Sequence, residues 1–233
     1  MKDYVIINGV SSKTKTGLAI NILPPITKPE MRTLVEEIDG RDGDIITKLG
    51  YSAYDKTIEI GLFGNGYDID DIIAFFNKEG TIVFSNEPTK YYNFTLVDSF
   101  DIERLLQFKT STITFHCQPF KYEVNEAPLI VTSSAQITNN GNIYAKPVLD
   151  IKGSGIINVY LNNTQMFSVD ITDEIIVDIP NLETYNPNTG ALMNRNVTGN
   201  ISNFILPVGT STVSFSGTVQ KVTITMYQRW LWW

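Results

Sequence analysis

Phe115-His116-Cys117-Gln118-Pro119-Phe120-Lys121-Tyr122 closes a strongly alternating run and meets a proline. Proline has no N–H to give to a ladder, so the run reads as a strand ending near Pro119. The composition changes beyond Tyr122. Charge thins and asparagine thickens. The stretch therefore reads as the last strand of a first domain, residues 1–122, and the exit into a second, residues 123–233. It also holds the chain's one histidine and one cysteine.

Upstream of it, Tyr4–Ile7 and Leu18–Leu23 are short apolar segments, stopped by Asn8-Gly9 and Pro24-Pro25. Glu30–Ile38 reads as a strand leading into Asp39-Gly40-Arg41-Asp42-Gly43-Asp44, a tight turn. Tyr51–Tyr54 and Thr57–Leu62 follow, the second alternating as a half-buried strand does. Ile69, Ile72, Ile73 and Phe76 recur at helical spacing, predicting one α-helix over about 68–79. Asp68 caps its start and Gly80 supplies its stop. Thr81–Phe84, Tyr91–Val97 and Ser111–Cys117 read as strands, with a short helix candidate at Asp101–Phe108.

Downstream, strand candidates recur about every ten residues, as in a sandwich. They are Leu129–Thr132, Ala135–Thr138, Pro147–Lys152, Ile156–Leu161, Met166–Ile171, Glu174–Ile179, Asn203–Leu206, Ser211–Ser216 and Val219–Tyr227. Asn139-Asn140-Gly141-Asn142 and Gly153-Ser154-Gly155 read as hairpin turns. Thr184–Thr198 reads as a polar loop with Asn186–Gly190 at its tip. The fold class is mainly β: two β-sandwich-like domains, the first carrying the helix.

With 233 residues, 42% of them hydrophobic, the chain can bury a core without disulfides or metals. Net charge is −7 and spread evenly. Residues 1–122 hold 13 Lys/Arg against 17 Asp/Glu, and residues 123–233 hold 5 against 8. No basic patch offers itself to a phosphate backbone. No apolar run is long enough for a signal peptide or a membrane span. One cysteine forms no internal disulfide, which suits a reducing compartment of synthesis. Sequons at Asn93, Asn162, Asn196 and Asn200 read as chance in an Asn-rich chain.

His116 and Cys117 are neighbours on a strand, so their side chains point to opposite faces and form no dyad. With no other His or Cys, nucleophilic catalysis and a usual zinc site lack parts. Asp39, Asp42 and Asp44 read as a solvated turn, and Asp68, Asp70 and Asp71 as a helix cap; neither set has EF-hand spacing. Gly61–Gly66 sits between strand and helix without the Gly-Lys-Ser/Thr of a phosphate loop, and reads as a turn. No catalytic, cofactor or metal residue is assigned, and an enzyme is not expected. Trp230 reads as core, while Trp232 and Trp233 suit either local packing or a protein partner.

In these features the chain resembles the distal tail proteins of long-tailed phages of Gram-positive bacteria. The resemblance rests on the 38–43 turn, the strand-Gly-helix-Gly-strand order around 68–84, and the 115–122 stretch. Further on it uses Asn139–Asn142, Ala145-Lys146-Pro147, Ile151–Gly155, Val208-Gly209 and Trp230. It implies an N-terminal ring-forming sandwich with an extended hairpin and a galectin-like jelly-roll C-terminal sandwich. It also implies a hexameric hub, as one ring or a stack, joining the tail tube protein to the tail-tip or tail-associated lysin protein. Virion DNA would pass through the hole without specific binding, and a receptor-binding protein or cell-wall carbohydrate would be a further partner. The hub would be made in the bacterial cytoplasm and reside in the tail tip of a phage, prophage or tail-like particle. The alternative carried by the Asn-rich loops and terminal aromatics is a carbohydrate-binding sandwich.

Overall fold

The computed structural model describes residues 3–96 and 101–232. Two compact units emerge: Met1–Val124 with Leu231–Trp233, and Asn125–Trp230. Both are built almost wholly of antiparallel strands, so the mainly β, sandwich-like fold class expected from the sequence is the one observed. Among the described residues no helix is long and apolar enough to cross a membrane.

The first unit contains β1 (Val5–Ile7), β2 (Val10–Ser11), β3 (Leu18–Ile22), β4 (Met31–Glu37), β5 (Asp44–Tyr51) and β6 (Tyr54–Leu62). Helix α1 (Ile69–Phe76), β7 (Gly80–Phe84), β8 (Lys90–Leu96), helix α2 (Ile102–Phe108) and β9 (Thr110–Glu123) complete it. One curled sheet runs β2-β1-β7-β8-β9-β6-β3, while β4 and β5 pair only with each other. Helix α1 turns Ile72, Phe75 and Phe76 into the core. There Phe76 and Phe94 approach Phe115, with ring centroids 6.4 and 5.1 Å away. Helix α2 is the short helix candidate read at Asp101–Phe108, and it adds to the single helix of the expected fold. The Val97 end of the strand expected over Tyr91–Val97 lies outside the described residues.

Strand β9 does not stop at Pro119. Its inward positions continue as Ser111, Ile113, Phe115, Cys117, Pro119 and Lys121. The proline falls where the strand's pairing with β6 has run out and its pairing with β8 is irregular. β6 begins at Tyr54, opposite Cys117, so it does not reach Pro119, and on the other side the register with β8 slips between Tyr92 and Phe94. Such a bulge is where a strand tolerates proline. Helix α1 ends at Asn77, short of Gly80, which instead opens β7 with φ +132°.

The second unit contains β10 (Leu129–Val131), β11 (Ser134–Asn139), β12 (Val148–Leu161), β13 (Thr164–Ile171) and β14 (Glu174–Asp178). It continues with β15 (Glu183–Tyr185), β16 (Val197–Gly199) and β17 (Gly209–Thr225). Strands β12 and β17 are long and shared by two leaves. Val148–Lys152 pairs with β14 and with the end of β17, to which β10 also adds. Gly155–Leu161 pairs with β13, and Asn158–Leu161 also with the start of β17, to which β11 adds. One apolar core, including Leu149, Ile157, Phe167, Phe204 and Val222, is common to both leaves.

This corrects the expected hairpin at Gly153-Ser154-Gly155 and the separate strands over 211–216 and 219–227. Each pair of expected strands is one bent strand. The glycines mark the bend and a close crossing: a Cβ on Gly153 would meet the Thr218 carbonyl at 2.3 Å, and one on Gly217 the Ile156 carbonyl at 2.4 Å. Asn139–Asn142 is likewise no hairpin, since β11 pairs with β17 rather than with β12. It is a turn pressed on the Arg229 backbone, with Asn139 Oδ1 accepting from Gly141 N–H at 2.9 Å. Asn203–Leu206 forms no strand; only Leu206 bridges, to Ala145.

Candidate assembly surface

The β4–β5 ribbon carries apolar side chains that nothing in its own unit covers. Met31 pairs with Tyr51 at the root and Glu37 with Asp44 near the tip. Leu34, Val35, Ile38, Ile46 and Leu49 are all exposed, Ile46 to 61%. A two-stranded ribbon alone in water is marginal, so a surface of this kind calls for a partner. Its charged residues, Arg32, Glu36, Glu37 and Lys48, interrupt the apolar ones. They guard the ribbon edges against indiscriminate pairing. The expected turn at Asp39–Asp44 is its tip, with Gly40 and Gly43 at φ +81° and +79°.

At the inner end of β9 lies a buried polar cluster that sequence reading missed. Lys121 and Glu87 form an ion pair, with Lys121 1% exposed. Tyr92 Oη donates to the other Glu87 oxygen at 2.5 Å. Lys56 lies beside them, its Nζ 4.8 Å from the Tyr92 ring centre and 5.1 Å from that of Tyr54. Burial holds the Lys56 amine below the usual lysine range, partly offset by the Glu87 charge. Burial pushes the Tyr92 hydroxyl far up, reinforced by its bond to Glu87. The clue was phase: Lys56 alternates in step with Ile58 and Ile60, and Lys121 with Phe115 and Cys117.

His116 and Cys117 point to opposite faces, as alternation requires. His116 Nδ1 lies 2.8 Å from Asp55 Oδ1 at the surface. Cys117 is fully buried, and burial pushes its thiol up to about 12. At α1, Asp68 Oδ1 accepts from the N–H groups of Asp70 and Asp71, filling the helix N-terminus with the chain's own carboxylate. Asp71 pairs with Lys15 at 2.6 Å. Gly61 lies inside β6, opposite Ala19 and Thr110. Among the described residues no three His, Cys, Asp or Glu side chains converge as metal ligands.

Trp230 is buried. Trp232 is 45% exposed, with Lys28 Nζ 5.2 Å from its ring centre. Trp233 lies outside the described residues. On the second unit a polar depression of about 270 Å³ is lined by Ser168, Asp170, Arg195, Asn196 and Thr198.

Residues 11–117 match the family described as the phage tail protein RIFT-related domain. No curated protein matches the chain by sequence. Among solved structures, the chain is similar to the SPP1 Dit protein (gp 19.1), described as a paradigm of the hub adsorption apparatus in phages infecting Gram-positive bacteria. That likeness has a TM-score of 0.67 at 16% identity and covers 96% of this chain and 98% of SPP1 Dit. A chain of the phage P2 baseplate in its activated conformation is similar at a TM-score of 0.50 and 10% identity, over 97% of this chain and 98% of that one. The resemblance expected from the residues is thus found: residues 11–117 match the phage tail protein RIFT-related domain, and the chain has the fold of SPP1 Dit.

Proposed function

We propose that this protein is a non-enzymatic hub at the distal end of a long-tailed phage or prophage tail. Six copies form a ring through their N-terminal domains, residues 1–122. One ring face receives the tail tube and the other the tail-tip or tail-associated lysin protein. The C-terminal domain, residues 123–233, is a galectin-like sandwich that serves host attachment or a receptor-binding protein. DNA passes through the hole without being bound. The observation that carries this reading is the phage tail domain over 11–117 within a fold shared with SPP1 Dit along nearly the whole chain. The uncovered β4–β5 ribbon supplies a surface for ring contact, and its tip at Gly40–Asp44 is the part that reaches a neighbour.

Light scattering and negative-stain microscopy of the purified chain test it. Six-fold rings are expected, at six times the 26.2 kDa chain mass. Replacing residues 31–51 by a short Gly-Ser turn is expected to leave a folded monomer. A chain that stays monomeric at every concentration, and with tube protein added, refutes the ring. A second reading, carbohydrate binding by the second unit, is favoured by the polar depression at Ser168, Asp170 and Arg195. Binding on a glycan array, lost in Arg195→Ala, would support it.

A further inference from the structure

The β4–β5 ribbon joins the sandwich by two legs. The return leg is short: β5 ends at Tyr51 and β6 begins at Tyr54. The outgoing leg, residues 23–30, holds Pro24, Pro25 and Pro29 and belongs to no strand. Proline contributes a carbonyl but no N–H, so this leg cannot hold itself by backbone pairing. Its carbonyls must be met from elsewhere, and two side chains of the sandwich meet them. Asn86 Nδ2 donates to the Pro24 carbonyl at 2.9 Å, and Lys56 Nζ to the Pro25 carbonyl at 3.2 Å. The legs are tied together by Ser52 N–H donating to the Glu30 carbonyl at 2.8 Å. Tyr51 meets Phe120 edge-on at 5.9 Å.

Lys56 is a costly residue here. It is 2% exposed and set among Tyr54, Phe84 and Tyr92. Glu87 already has Lys121 and Tyr92 on its two oxygens. The Lys56 amine is therefore not required to balance Glu87, and its one hydrogen bond goes to Pro25. A buried amine kept for a single carbonyl argues that holding this carbonyl is what the residue does.

We propose that Lys56 and Asn86 form a clamp that fixes the direction in which the β4–β5 ribbon leaves the sandwich. They are positioning residues for assembly, not contact residues. The assembly half of this statement rests on the ribbon being the ring contact. The clamp itself does not.

The test is a spin-label distance measurement in the full chain. Nitroxides are placed at Asp42→Cys on the ribbon tip and Lys78→Cys beyond α1, both exposed. Cys117 is buried and escapes labelling. Labelled chain is diluted into excess unlabelled chain, so that only distances within one chain are read. Lys56→Met keeps the stem among the aromatic rings and leaves Glu87 matched by Lys121, so the core is expected to survive. In Lys56→Met with Asn86→Ala, the distance distribution is expected to widen at least two-fold while near-UV circular dichroism is retained. Ring formation is expected to need at least ten-fold more protein. An unchanged width overturns the clamp, and so does widening that comes only with loss of the core signal. A narrow wild-type distribution that widens in the variant, in a protein that never forms rings, supports the clamp and removes the ring reading instead.

Discussion

Lys121 occupies a position where the alternation of β9 calls for an apolar side chain. Its burial is tolerable because Glu87 takes its charge and Tyr92 takes the remaining carboxylate oxygen. Removing one partner of such a set is worse than never having had it, since the other charge stays buried. Glu87→Gln is therefore expected to destabilise the first unit by about 3 kcal/mol, read from urea unfolding. His116→Ala, at an exposed pair with Asp55, is expected to cost less than about 1 kcal/mol in the same assay. Cys117 gives a pH test. Its thiol is raised from 9.0 to about 12, so the folded state holds its proton where the unfolded state loses it. This contribution is complete below pH 9 and is lost as pH rises through that window, by about 1.4 kcal/mol per unit. Comparing wild type with Cys117→Val at pH 8 and pH 10 isolates it: the wild type should lose ground to the variant at pH 10. The lysines were legible as anomalies of phase. Glu87 was not, because it lies in a turn 34 residues from Lys121, and only the fold brings them together.

Among the elements, strands with one buried face announced themselves and others did not. β6 and β9 alternate, and α1 keeps its helical period, so their places could be read from residues. β5 could not. Both faces of its ribbon are exposed, so Ile45 and Ile46 stand side by side without penalty and no period of two is written. The bends of β12 and β17 failed for another reason. A glycine inside a strand pattern means a turn, a bulge or a close backbone approach. Local sequence does not say which; here the crossing strand decided. Gly217→Ala is expected to cost about 3 kcal/mol, because φ is +113° and the new Cβ would strike the Ile156 carbonyl. Gly155→Ala, at φ +74° with open space around it, should cost about 1 kcal/mol. Thermal unfolding of the two variants side by side checks the contrast.

At the scale of the whole molecule, each unit owns a core. The second gathers Leu149, Phe167, Phe204 and their neighbours without a residue from the first. Expressed alone, residues 125–230 are expected to unfold in one cooperative urea transition; a broad, non-cooperative melt would show that the unit depends on the rest of the chain. The partners proposed for the chain, by contrast, were legible only through resemblance, since an assembly surface writes no catalytic motif. The uncovered ribbon has a consequence in time. On the proposed reading, from the moment of synthesis until neighbours arrive each chain carries a strip of leucine, valine and isoleucine open to proteases and to adhesion. Its Lys48, Glu36 and Glu37 slow the second hazard but not the first. Free subunits should thus be short-lived goods, cut first between residues 31 and 51 in a brief trypsin or glutamyl-protease digest, while assembled ones resist. Turnover would then clear surplus chains and spare those already built in.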